Sequence, residues 1–225
     1  MTAWINVGRY HLVDPIAYLV APWAILAFVF LINLVITEAE GGPNPTKALA
    51  VIYLCFFGLG ILSAGGSLPF GLALGASRRS YYTGTLLLAV ALAAADGLGL
   101  ALLQVAERGT HGWGLALHVF QVSYILAGPW YLTWLTSFVG LTLLFVYGMW
   151  YGIIYRRWNR FGLVAFIVGQ VAVIRVWIVI VDRGHNWGGA GFSFTPSPMG
   201  LTAVLAALAV VLLIGGFALM RRVSV

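Results

Sequence analysis

The stretch Tyr82–Ala106, YTGTLLLAVALAAADGLGLALLQVA, decides the fold class, because it carries only one charged residue, Asp96. An α-helix rises about 1.5 Å per residue and the hydrocarbon core of a bilayer is about 30 Å thick. About 20 consecutive apolar residues therefore cross a membrane, and this stretch is longer than that. We predict that it forms a transmembrane helix.

Other stretches of the chain pass the same test of length and apolarity. They predict an all-α integral membrane protein with six transmembrane helices and one membrane domain that covers residues 1–225. The first stretch is longer than the apolar core of a secretory signal peptide, about 7–15 residues, so we expect it to be retained as a helix. The predicted spans lie near residues 16–37, 48–67, 82–106, 131–155, 161–181 and 201–220.

The composition supports a lipid environment. Hydrophobic residues make up 62% of the chain and charged residues only 8%, whereas a soluble domain carries about 25% charged residues. The net charge of +6 comes from short arginine clusters between apolar runs and not from a continuous basic face. We therefore expect the chain to contact the lipid bilayer and not to bind nucleic acid.

The arginine clusters also predict the orientation. They occur in every second connection, and the alternate connections hold few cations beside acidic residues. The positive-inside rule therefore places the N- and C-termini in the cytoplasm. The cations assigned to the cytoplasm are Arg9, Arg78, Arg79, Arg156, Arg157, Arg160, Arg221 and Arg222.

Two segments do not fit simple spans. Gly114–Tyr155 is too long for one span, and Gly128–Pro129 offers a break, so we expect an extra interfacial or re-entrant helix near Leu115–Ala127, before the fourth span. The segment Gly184–Gly200 is rich in glycine, proline and aromatic residues. It is either a lid over an exit pathway or a connecting loop.

Two charges lie inside predicted spans. Asp96 and Arg175 are expected at similar depth, since both helices should run from inside to outside. A lone charge in hydrocarbon is costly, so we predict that the two pair, within one protomer or between protomers. Such a pair either fixes the bundle or forms part of a transport path.

Catalytic and metal-binding motifs are not recognisable. The four histidines and the single cysteine, Cys55, form no metal-ligand spacing, and there is neither a nucleophile elbow nor a phosphate-binding loop. We expect no catalytic residue, no metal and no cofactor in this chain. Small residues in Leu62–Gly66 predict close helix packing.

The most informative connection is Ser67–Thr85, SLPFGLALGASRRSYYTGT. Pro69 suits the first turn of a short helix, with Ser67 as its cap, and Ser80 is a possible cap for the next span. The pattern predicts either a short helix at the cytoplasmic surface that can dock into a groove on a soluble partner, or an ordinary interfacial loop.

The run from Pro69 to Thr85 resembles the inner loop of bacterial ABC transporter permeases of the exporter-like type-two class, especially actinobacterial ones. The resemblance implies a multi-pass permease of the bacterial cytoplasmic membrane that is not itself an enzyme. It also implies a homo- or heterodimer with a second permease subunit and a separate ABC ATPase, which binds ATP and Mg. The coupling helix would be Phe70–Arg79, and the implied ATPase-contacting residues are Pro69, Phe70, Leu72, Leu74, Ser77, Arg78, Arg79 and Tyr82.

The implied activity is export of a hydrophobic or amphipathic substrate. An alternative is a membrane sensor or assembly factor that binds a soluble cytoplasmic partner through the same loop and transports nothing. A membrane enzyme is a third hypothesis, for which no catalytic set is recognisable.

Overall fold

A computed structural model of the chain describes residues 16–40, 48–67, 77–116, 119–120, 129–186 and 198–220. Within these residues every long element is a helix and none is a strand, which confirms the all-α prediction. The helices are α1 (Ala21–Glu40, after a π-helical turn Ile16–Val20), α2 (Ala50–Leu62, continued by a π-helical turn Ser63–Ser67), α3 (Arg78–Gly109, followed by a short turn Gly112–Ala116), α4 (Trp130–Asn186) and α5 (Pro198–Met220).

Four helical stretches are long and apolar enough to cross a membrane, which supports a membrane-embedded protein. They are Tyr18–Ala39, Arg78–Gly109, Trp130–Val176 and Met199–Phe217. A fifth stretch, Ala50–Gly66, is apolar but shorter than the other four.

Helix α4 is divided at Asn159, whose backbone has φ 57° and ψ −156°. We call residues 130–158 the first arm and residues 160–186 the second arm. The Gln170 side-chain oxygen accepts hydrogen bonds from the hydroxyls of Tyr147 and Tyr151, each at 2.7 Å. In a straight helix residues 147 and 170 would lie about 35 Å apart. The chain therefore reverses at Asn159, between the predicted spans 131–155 and 161–181, and the two arms run antiparallel.

The core lies along the first arm of α4, against which both α2 and α3 pack. Its largest fully buried side chains include Phe56, Tyr81 and Phe145. Large apolar side chains elsewhere are exposed, such as Phe28 on α1 and Phe161 on the second arm. Extended apolar surface of this kind is expected where a protein meets lipid chains and not water.

Glycines bring α2 and the first arm of α4 into backbone contact. A Cβ added at Gly60 or at Gly148 would collide with a backbone carbonyl oxygen of the opposite helix. Gly152 lies one turn after Gly148 and would meet the side chain of Ala64, which is fully buried. The predicted small-residue packing of 62–66 is thereby confirmed, and the GxxxG spacing of the first arm explains the close approach.

Several predictions fall wholly or mostly outside the described residues. They are the short coupling helix with Pro69, Phe70, Leu72 and Leu74, most of the extra helix near 115–127, most of the segment 184–200, and both termini.

Candidate functional site

The connection between α2 and α3 ends at the first helical turn of α3. Ser77 has an extended backbone, and its hydroxyl oxygen accepts a hydrogen bond from the Ser80 N–H at 3.1 Å. This is an N-cap, and it satisfies one of the free N–H groups at the start of the helix. Ser77 is therefore the N-cap of α3. The prediction of Ser80 as the cap was wrong, because the helix begins three residues earlier than that prediction required.

Two consecutive tyrosines fasten this turn to other helices. The Tyr81 hydroxyl donates to the carbonyl oxygen of Ser63 at 2.6 Å, just after α2. The Tyr82 hydroxyl donates to the carbonyl oxygen of Leu213 on α5 at 2.8 Å, and its ring lies 5.6 Å from the Phe217 ring. Both tyrosines are buried. The start of α3 is thus tied to the end of α2 and to α5 at once.

The described members of the predicted coupling set lie together at this turn. Ser77 and Arg79 are exposed, Arg78 is half-buried and Tyr82 is buried. The same turn thus presents Arg79 at the surface and connects through Tyr82 to α5.

The two predicted intramembrane charges have different surroundings. Asp96 on α3 is only 5% exposed, and its carboxylate accepts a hydrogen bond from the Trp23 indole N–H at 2.8 Å. A Cβ at Gly99 would lie 2.5 Å from that indole ring, so the absence of a side chain at Gly99 makes room for Trp23. Arg175 is exposed on the second arm of α4. The described contacts do not join Asp96 to Arg175, and their pairing stays a prediction.

Glu107, near the C-terminal end of α3, is fully buried. One carboxylate oxygen accepts three hydrogen bonds: from the Trp113 indole at 3.3 Å, the Val119 N–H at 3.1 Å and the Phe120 N–H at 2.8 Å. In the sequence, Glu107 is one of the acidic residues in the connections that hold few cations. Its position could have indicated a structural role. A carboxylate in the last turn of a helix is repelled by the negative end of the helix dipole, so it is favoured there only when other groups bind it.

The turn after α3 directs Trp113 back towards Glu107. Residues 111–114 all have positive φ, and two of them, His111 (52°) and Trp113 (60°), are not glycine. This conformation is unfavourable for L-residues with a side chain. It is held by Thr110, whose hydroxyl oxygen accepts the Trp113 N–H at 3.1 Å and whose carbonyl accepts the Gly114 N–H at 3.2 Å.

A cavity of about 200 Å³ lies between α1, α3 and this turn, and we call it the aromatic cleft. Its rings contact one another, with the Phe30 and Trp113 centroids 5.2 Å apart and those of Phe30 and Phe120 6.0 Å apart. The two buried carboxylates of α3 hold parts of its wall, Asp96 through Trp23 and Glu107 through Trp113 and Phe120. The lining residues are Trp23, Leu26, Ala27, Phe30, Leu103, Trp113 and Phe120.

Among the described residues, no three histidine, cysteine, aspartate or glutamate side chains come close enough to hold a metal ion. Comparison with known proteins finds no matching family profile, no similar curated protein and no similar solved structure.

Proposed function

We propose that this chain is the membrane-spanning permease subunit of an ATP-driven ABC transporter, coupled to a separately encoded ATPase and exporting a hydrophobic or amphipathic substrate. The observation that supports this best is the double attachment of the inner-loop exit, through Tyr81 to the carbonyl of Ser63 and through Tyr82 to the carbonyl of Leu213. An energy-coupling loop must move helices when it is pushed, and this attachment provides the connection.

The proposed mechanism begins in the partner. The ATPase binds ATP and Mg, and its closure presses on the segment Phe70–Arg79. The start of α3 then moves, and because it is hydrogen-bonded to the α2 end and to α5, three helices respond together. A packed bundle with two discrete arrangements converts such a push into alternating access between the two membrane faces.

The proposed topology has six spans, with both termini in the cytoplasm of a bacterial cell and two permease subunits in the complex. It counts the shorter stretch Ala50–Gly66 and each arm of α4 as a span. The reversal at Asn159 supports this, because the cations of that region flank it at Arg156, Arg157 and Arg160. A turn with three cations is favoured on the same side as Arg78 and Arg79.

The experiment is affinity purification of the full chain from its native host in a mild detergent, followed by identification of bound proteins and an ATPase assay. We expect recovery of a separate ABC ATPase. Reversing both charges with Arg78→Glu and Arg79→Glu should lower that recovery about tenfold, since like-charge contacts at an interface cost several kcal/mol. The matched control is Arg221→Glu with Arg222→Glu, an arginine pair outside the proposed contact, which should leave recovery unchanged.

The possible results separate the hypotheses. If the intact chain is recovered without an ATPase, the transporter proposal is wrong and a sensor or assembly factor is favoured. If an ATPase is recovered equally well with the charges at 78 and 79 reversed, the transporter proposal stands and the assignment of this loop is wrong.

A further inference from the structure

The wall of the aromatic cleft presents carbon and almost no polar group. Its two tryptophans each have one N–H, and both are already engaged, Trp23 with Asp96 at 2.8 Å and Trp113 with Glu107 at 3.3 Å. The remaining lining side chains are leucine, alanine and phenylalanine. A polar or charged ligand group would lose its water there and find no free hydrogen-bonding side chain among the described lining residues, which is unfavourable.

The size of the cleft indicates what can fill it. A water molecule needs two to four polar partners, and apolar cavities of about 150 Å³ stay dry and bind benzene. The cleft, at about 200 Å³, is somewhat larger. It therefore suits a ring or a short length of hydrocarbon chain.

The mouth of the cleft lies on the exposed side of α1. Ala27 lines the cleft and is exposed, and its neighbour Phe28 is 65% exposed. This helix is one of those long and apolar enough to cross a membrane, so the exposed surface around the mouth faces lipid chains. The occupant present at the highest concentration is therefore a bilayer lipid.

We propose that the aromatic cleft is a binding site for one hydrocarbon chain of a membrane lipid. The chain enters beside Ala27 and packs between Phe30, Trp113 and Phe120. Asp96 and Glu107 act as positioning residues, because they hold the tryptophans with the N–H groups turned away from the ligand. The proposal does not require the protein to be a transporter.

The test uses the full chain reconstituted in nanodiscs of dioleoyl phosphatidylcholine, then extracted into detergent and washed. Native mass spectrometry counts the phosphatidylcholine molecules that remain bound. We expect about one per chain in the unaltered protein and at least a fivefold lower occupancy in Ala27→Phe, which fills the mouth. Ala24→Phe is the matched control, because Ala24 is exposed on the same helix but does not line the cleft.

A second measurement uses the unaltered protein, so that a folding defect in Ala27→Phe cannot decide the outcome. Phosphatidylcholine with a photoreactive diazirine in one acyl chain is reconstituted, irradiated and mapped by peptide sequencing. Adducts at Leu103, Trp113 or Phe120 are expected. Adducts confined to the exposed residues of α1, such as Phe28, would overturn the proposal.

Two other results would also overturn it. One is equal lipid retention by Ala27→Phe and Ala24→Phe. The other is a change in subunit number caused by Ala27→Phe while no lipid is retained by the unaltered protein, which would make the cleft an interface between two copies of the chain. Neither result bears on ATPase recovery, so failure of this proposal is distinguishable from failure of the proposed function.

Discussion

Two regions of the bundle join helices in opposite ways. Between α2 and the first arm of α4, glycines such as Gly60 and Gly148 let the backbones touch, and no space is left for a side chain. Between α1 and α3, aromatic side chains border a cavity of about 200 Å³, and two of them, Trp23 and Trp113, are held by hydrogen bonds to the carboxylates of Asp96 and Glu107. The first contact excludes any added side chain, whereas the second leaves a space that another group can fill.

The largest effect is expected from Glu107→Leu, which removes the acceptor of three N–H groups, two of them on the cleft-lining residues Trp113 and Phe120. Each buried donor without a partner costs about 1–3 kcal/mol. Because the loss is local, hydrogen exchange at Val119 and Phe120 should accelerate tenfold or more. Glu107→Gln is the control, because its amide oxygen can still accept hydrogen bonds from these N–H groups. It should accelerate hydrogen exchange much less. Equal exchange in both variants would show that the carboxylate does not hold this wall.

A smaller effect, on the whole bundle, is expected from Gly148→Ala. The added Cβ would collide with the Phe57 carbonyl oxygen, and overpacking a tight contact costs about 1–3 kcal/mol. The control is Gly58→Ala, because a Cβ there has no neighbour within 4 Å; it should be stabilising by up to about 1 kcal/mol through helix propensity. Thermal unfolding in detergent measures both. If both variants change the unfolding temperature in the same direction, the close contact of Gly148 with α2 does not limit the stability of the bundle.

Next in size is Trp23→Phe, which leaves the buried Asp96 carboxylate without its indole donor. We expect a loss of stability of about 1–2 kcal/mol, seen in the same thermal unfolding assay. Trp130→Phe is the control, because Trp130 is 54% exposed and should change stability little. If the two tryptophan variants behave alike, the hydrogen bond to Asp96 contributes nothing to the α1–α3 contact.

The smallest effect is expected from Tyr82→Phe, which removes one hydrogen bond to the Leu213 carbonyl and keeps the ring contact with Phe217. The loss should be about 1 kcal/mol and should appear as faster hydrogen exchange at the start of α3. Thr83→Val serves as control, since Thr83 is exposed and its hydroxyl bonds only within its own helix. If the two variants do not differ in exchange, the hydrogen bond from Tyr82 to Leu213 does not hold the start of α3.

The helices themselves were predictable from the sequence, because their long apolar runs have few other stable environments. The reversal at Asn159 also lies in the short interval between predicted spans, where three arginines occur. The N-cap was misplaced from Ser77 to Ser80, because both are serines within one turn of the helix start. Which of two nearby serines is the N-cap depends on where the backbone becomes helical, and the residue types alone do not show this.

The aromatic cleft was not predictable in the same way. Asp96 was identified as an intramembrane charge, but its partner Trp23 is 73 residues away in the chain, and no local pattern links them. The contacts of Glu107 depend on a left-handed turn that includes two non-glycine residues, His111 and Trp113. Positive φ is uncommon for residues with a side chain, so the sequence does not lead one to expect this turn. Long-range packing and a strained turn therefore account for what the sequence analysis missed.

The most direct test of the proposed function is site-specific photocrosslinking in the native host, with a benzophenone amino acid in place of Arg79. The same substitution at Val211, an exposed apolar position on α5, serves as the control. We predict that position 79 crosslinks to a separate ABC ATPase and that position 211 does not. A crosslink from position 79 to a soluble protein without ATPase activity, or to no protein at all, would contradict the account.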